Sequence, residues 1–281
     1  MRALPTVAIW SLALVACGGG DGDEPDAASD PDAAIVDAAL PIDGPLPNFS
    51  FFVTSLAALQ RESGNPLGFG GDLRFGETGP GAGLRGADKL CATIAERSMP
   101  GAGGKPWRAF LSATADANGQ PVHAIDRIGD GPWYDRIGRV LAPTKADLMS
   151  IRPQNGDAAI RNDFPNEDGV PNHRPDVTMG QVDNHDMLTG SNAQGRLEAA
   201  NRTCLDWTAN AGNKPLEGQP RVGHSWPRGP TGQINSWMSS LIESGCAPGV
   251  NLIEMGPPDP NSNTVGSGGG YGGFYCFALV P

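Results

Sequence analysis

The chain has 281 residues and a formal net charge of −11 at pH 7, with 31 acidic against 20 basic residues. That length holds one large domain or two small ones. No basic patch or arginine-rich helix interrupts the acidity, so the pattern excludes nucleic acid as the expected partner.

Taken from the start, Met1-Arg2 is a short basic region and Ala8 to Ala16 is an apolar stretch. It is too short to span a bilayer, which takes about 20 residues, and reads as a signal peptide over 1–16. Small residues stand before a cysteine in Leu14-Val15-Ala16-Cys17-Gly18, a pattern that resembles the bacterial lipobox. The expectation is diacylglycerol on the Cys17 thiol and a membrane partner reached through lipid alone. Two or more acyl chains on one cysteine hold stably, whereas a single chain holds weakly. Glycine at position 18 points to the outer membrane of a bacterial cell envelope.

Residues 18–48 carry eight acids, no base, five prolines and no aromatic residue. Such a stretch cannot bury enough apolar surface to offset its chain entropy, so 17–48 reads as a lipidated cysteine on an acidic tether. From Phe49 onward the balance is 19 basic to 23 acidic residues, a net charge of −4. Most of the acidity therefore belongs to the tether, and the folded domain is expected over 49–281.

The domain opens with Phe49-Ser50-Phe51-Phe52-Val53-Thr54, an aromatic and β-branched run that predicts a strand. A glycine-rich loop follows from Gly64 to Gly83. Ala87, Leu90, Cys91, Ile94 and Ala95 then recur at helical spacing and stop before Pro100, predicting a helix with Cys91 on its buried face. Trp107 to Ser112 predicts a second strand, with further short strands at Trp133-Tyr134 and Val140-Leu141. Residues 150–186 are polar and aperiodic, a long loop or surface insertion. Cys204 to Thr208 reads as a short core strand, Trp237 to Leu241 as one helical turn, and Pro257 to Gly270 as another loop. Gly273 to Leu279 predicts a terminal strand with alternating faces. The expectation is an α+β domain with many short strands and a modest core.

Four cysteines remain beyond Cys17: Cys91, Cys204, Cys246 and Cys276. An even number in an exported domain suggests two disulfides, and none of the spacings is that of a metal knuckle. Three pairings are open. Joining Cys91 to Cys276 would tie the first helix to the last strand. Joining Cys204 to Cys246 would close a loop of about 43 residues, worth about 4 kcal/mol by chain entropy. This nested arrangement is the one expected.

Several segments together carry a resemblance. Phe51-Phe52-Val53-Thr54-Ser55, the glycine loop, Gly83-Leu84-Arg85-Gly86-Ala87-Asp88-Lys89-Leu90-Cys91 and Pro106 to Ser112 resemble the opening of bacterial C-type-lectin-like lipoproteins, a set that includes the leptospiral endostatin-like outer-membrane proteins. Thr189-Gly190-Ser191-Asn192, Cys204 to Thr208 and Gly273 to Phe277 are similar to later segments of that set. The resemblance implies a C-type-lectin-like (endostatin-like) fold with an enlarged long-loop region, nested disulfides, and adhesion to a protein or glycan. One departure stands out. Sugar-binding C-type lectins hold calcium through Glu-Pro-Asn or Gln-Pro-Asp and through Trp-Asn-Asp. Here Gln219-Pro220-Arg221 puts a cation in place of the carboxylate, and Gly272-Gly273-Phe274-Tyr275 supplies no acid or amide. Calcium takes six to eight oxygen ligands, so calcium-dependent sugar chelation is not expected, and no cofactor is assigned.

The ligand-contact candidates are Asp183, Asn184, His185 and Asp186, with His224 and Trp226. The first four collect oxygen and imidazole donors, but neighbours in an extended segment point to opposite faces, so a solvated loop is the competing reading. A metal there would need Asp168 or another distant acid to fold onto it. Adjacent His224 and Ser225 are no nucleophile–base pair without a third orienting group. Trp226 in the core and His224 on a backbone carbonyl is the bland alternative. Arg127 to Arg136 mixes aromatic and charged residues, which suits either a recognition surface or a packed strand. The four histidines are scattered along the chain and suggest no catalytic constellation. A surface-anchored binding module is therefore expected, ahead of an extracytoplasmic enzyme on a lectin-like core (related to formylglycine-generating oxidases) and of a structural envelope protein.

Overall fold

The structure, a computed structural model, describes residues 47–173, 184–227, 236–253 and 257–281. The expected signal peptide, Cys17, nearly all of the tether, and Asp183 lie outside the described residues. Among those described, no helix is long and apolar enough to cross a membrane.

The aromatic run at the domain's start forms β1 (Phe51–Val53), buried at every position. Helix α1 (Leu56–Ser63) follows, a helix that the hydrophobic pattern alone does not announce. Its ends are marked by local chemistry: the Ser55 hydroxyl accepts from the Ala58 N–H, and Gly64 adopts a left-handed conformation at the other end. Helix α2 (Ala82–Ser98) extends the predicted one by a turn at each end and buries Leu84, Ala87, Leu90, Cys91, Ile94 and Ala95. Next come β2 (Trp107–Ala109), β3 (Trp133–Tyr134), β4 (Val140–Ala142) and the short α3 (Lys145–Leu148). The second half contributes β5 (Asp186–Leu188), α4 (Cys204–Trp207), α5 (Lys214–Glu217), β6 (Arg221–His224), β7 (Leu241–Ile242) and β8 (Gly270–Ala278).

β8 organises the sheet, whose order is β1-β8-β5-β6-β7, with β2 also paired to β8. All nine of its residues are buried. β1 lies antiparallel on one edge, pairing Phe52 with Cys276. β5 lies parallel to the first half of β8, and β2 antiparallel to the second half. A strand has two edges, so β5 and β2 follow one another along the edge opposite β1. The alternation of β8 then sorts the core. Tyr275 and Phe277 face an aromatic cluster with Phe110, Phe164 and Trp237, at centroid distances of 5.3–6.4 Å. Cys276 faces α2 and bonds Cys91. Each fully buried indole donates to a backbone carbonyl: Trp107 to Ala102, Trp133 to Ile128, Trp207 to Ser112 and Trp237 to Leu148.

Both nested disulfides are formed, Cys91–Cys276 and Cys204–Cys246. They close loops with sequence separations of 185 and 42 residues, worth about 5 and 4 kcal/mol by chain entropy. The mixed α+β class is therefore as expected.

Two local expectations are corrected. Cys204–Trp207 is not a strand but a helical turn with φ of 48, 53, 55 and 66°, a run of four non-glycine residues in the left-handed region. The Asp206 carboxylate holds it, accepting from the Thr114 and Ala115 backbone N–H groups and from the Thr114 and Thr203 hydroxyls. The disulfide at Cys204 and the Trp207 indole bond pin the ends. Residues 237–241 form no helical turn either. The chain is extended into β7, because Ser240 N donates to Val222 O and Leu241 pairs with Val222. In the Arg127–Arg136 stretch several side chains are held by the fold. Arg127 forks onto Asp88 at 2.8 Å, Trp133 is in the core, and Arg136 binds the Ser98 carbonyl.

Candidate functional site

The predicted cluster is assembled by β5 and β6. They pair antiparallel with Asp186 opposite His224, which brings two sequence-distant candidate groups to the same end of the sheet. At that point the alternation fails. The N–H groups of both His185 and Asp186 donate to the Gly269 carbonyl, at 3.0 and 3.1 Å, and the β5–β8 register shifts there. A bulge of this kind re-aims side chains. His185 and Asp186 therefore do not diverge: His185 Nε2 lies 3.3 Å from Asp186 Oδ1.

Around this bulge three of the four histidines gather with one tryptophan. His185 stacks on His224, with centroids 4.3 Å apart and planes 24° apart. His173 stacks on Trp226 at 3.9 Å and 14°. The two stacks meet edge to face, Trp226 lying 4.7 Å from His224 and 5.5 Å from His185. His185, His224 and Trp226 are buried, and His173 is partly exposed. Scattered positions in the chain thus become one imidazole–indole cluster. The Ser225 hydroxyl donates to the Asn184 carbonyl at 3.1 Å.

The floor of the site is a pair of carboxyl groups. Glu243, absent from the predicted set, is fully buried and reaches Asp186, which is also fully buried. Gly268 separates them closely: a β-carbon there would sit 2.7 Å from Asp186 Oδ2 and 3.2 Å from Glu243 Oε1. Its N–H donates to both Glu243 oxygens at 3.0 Å. Burial pushes the Glu243 carboxyl up to about 7, against the opposing pull of the Asp186 hydrogen bond and of backbone N–H groups. Burial likewise raises the Tyr275 phenol well above its usual range, helped by the Asp186 charge. The distant acid that joins Asp186 is therefore Glu243. Asp168 stands instead in the Asn166–Val170 turn, its N–H bonded to Asn166.

The same residues fasten the ends of two chain segments. Asn172 and Asn184 exchange side-chain amide bonds to each other's carbonyls at 2.9 and 2.8 Å, closing segment 174–183. His224 N donates to Ser236 O at 3.0 Å, closing segment 228–235. Among the described residues, no group of three or more His, Cys, Asp or Glu side chains could hold a metal ion. Arg221, read as the cation in place of a calcium-binding acid, is tied to Glu198 at 3.3 Å and to the Ser239 hydroxyl at 2.8 Å. Compared with protein-family models and with curated protein sequences, the chain matches none.

Proposed function

We propose that the chain is a lipid-anchored envelope protein whose C-type-lectin-like domain binds an extracellular protein or glycan without calcium. The carrying observation is the His173–Trp226 and His185–His224 cluster, gathered at one end of the β5–β6 pair. Recognition groups commonly sit on excursions from a rigid scaffold, and here β5 and β6 are that scaffold. The lectin-like assignment is supported by the nested disulfides, the pairing of β1 with the closing strand, and the motif order. The lipobox at Cys17 supports the anchor, and Gly18 the outer membrane.

The enzymatic alternative draws less support. A cysteine-dependent oxidase needs reactive thiols, whereas Cys204 and Cys246 are bonded to each other. The test is binding of the mature chain to arrayed glycans and extracellular-matrix proteins, with and without EDTA, for the wild type and for His173→Ala and Trp226→Ala. Retention in EDTA with loss in either variant is expected. The reading is overturned if no protein or glycan loses binding in either variant, or if the binding that those variants lose requires calcium.

A further inference from the structure

Away from this cluster, the glycine-rich stretch between α1 and α2 lines an open cavity of about 390 Å³. Its apolar wall is Phe69 and Phe75, edge to face with centroids 6.0 Å apart. The Lys89 ammonium lies 5.3 Å over the Phe75 ring, so one face of that ring already has a partner. Phe75 is held at a φ of 45°, a conformation that bulky residues rarely adopt. Such outliers persist only where surroundings impose them, and they concentrate at ligand clamps.

The polar wall is electrically balanced. Arg74 forks onto Asp72 at 2.9 and 2.5 Å, and Arg85 pairs with Glu77 at 3.2 Å. Each charge in the cavity thus has its opposite beside it, which disfavours both an anion and a cation as ligand. Neutral hydrogen-bonding groups complete the lining: Asn65, Thr78 and the exposed Asn210. The backbone that carries the lining residues Asp72 and Arg74 is fixed in advance. Gly71 N donates to Cys246 O at 2.8 Å and Leu73 N to Trp207 O at 3.0 Å. A β-carbon at Gly71 would come within 2.6 Å of the Cys204 sulfur, so the backbone rests directly on the second disulfide.

From this combination we propose that the cavity is a second binding site, for a neutral saccharide. A pyranose has apolar C–H faces that lie against an aromatic ring and hydroxyls that pair with planar amide, carboxylate and guanidinium groups. The cavity offers both within a volume typical of small-molecule sites and with little ordering left to do on binding. The site uses no residue of the imidazole–indole cluster and does not rest on that cluster's role.

The test is saturation-transfer NMR and calorimetry on the full chain. The neutral probes are methyl glucoside, methyl galactoside and N-acetylglucosamine, set against glucuronate and glucosamine. At least one neutral probe is expected to bind with a Kd on the order of 1 mM, unchanged by EDTA. Phe69→Ala is expected to abolish binding. Asn210→Ala removes an exposed amide whose Nδ2 donates to Phe69 O at 3.3 Å, and should lower the melting temperature by no more than a few degrees while weakening binding about fivefold or more. Trp226→Ala should leave sugar affinity unchanged. The proposal is overturned if no neutral probe binds at about 50 mM, far above that Kd. Tighter binding of a charged sugar, loss in EDTA, or affinity sensitive to Trp226→Ala but not to Asn210→Ala would overturn it as well.

Discussion

Replacing Glu243 by Gln tests the buried carboxyl pair through its linkage to pH. Burial raises Glu243 from 4.5 to about 7, so the fold favours its neutral form. That contribution is complete below about 4.5 and is lost as pH rises through about 7, where the wild type must ionise a carboxyl beside Asp186. A displacement of this size corresponds to about 3 kcal/mol between pH 5 and pH 9. Gln keeps the acceptor for Gly268 N–H, offers an amide donor toward Asp186, and does not ionise. The variant is thus expected to match the wild type near pH 5 and to exceed it by about 3 kcal/mol at pH 9. That is roughly 6 to 12 °C in melting temperature for a domain of this size. Urea unfolding with both disulfides intact, repeated at each pH, measures the difference. Parallel wild-type and variant profiles from pH 5 to pH 9 would refute the account of Glu243 as a carboxyl held neutral by burial, and a less stable variant at pH 9 would reverse its sign.

Three further substitutions probe the scaffold. Gly83→Ala should destabilise by at least about 3 kcal/mol, although Ala outranks Gly in a helix, because the new methyl would lie 2.1 Å from Asp206 O and 2.6 Å from Trp207 O; thermal melting reads the sign. In the left-handed turn, Leu205 is half exposed, so Leu205→Asn should stabilise by about 0.5–1 kcal/mol and Leu205→Val should destabilise, as compared by urea midpoints. The buried Tyr275 hydroxyl finds no hydrogen-bond partner among the described residues, so Tyr275→Phe should be neutral or stabilise by about 1 kcal/mol in calorimetry.

Legibility in the sequence followed the range of the forces involved. α2 and the terminal strand were readable because their buried faces recur at fixed spacing, as Leu90, Cys91 and Ile94 do. The disulfides were readable from cysteine number and placement. α1 was not read, yet its signals were present, Ser55 as N-cap and Gly64 as the left-handed stop. The left-handed turn at Cys204–Trp207 had no local signal, since it depends on Asp206 meeting Thr114 from a remote part of the chain. The candidate site was half visible. Asn184, His185, Asp186, His224 and Trp226 were named from composition alone, but their meeting required the β5–β6 register and the bulge at Gly269. His173 and Glu243 were missed because nothing near either residue in the chain indicates a partner.

The strand at the middle of the sheet is the last of the eight to leave the ribosome. Until β8 emerges, β1 and β2 have no strand to pair with, β5 has β6 on one edge alone, and the Cys91 thiol lacks its partner Cys276. Stepwise folding during synthesis is therefore closed to this domain. Its assembly waits for residues 270–278 and then proceeds through contacts of long sequence separation, which fold slowly. A chain that stops short of Gly270 should yield no partial domain, only protease-sensitive polypeptide.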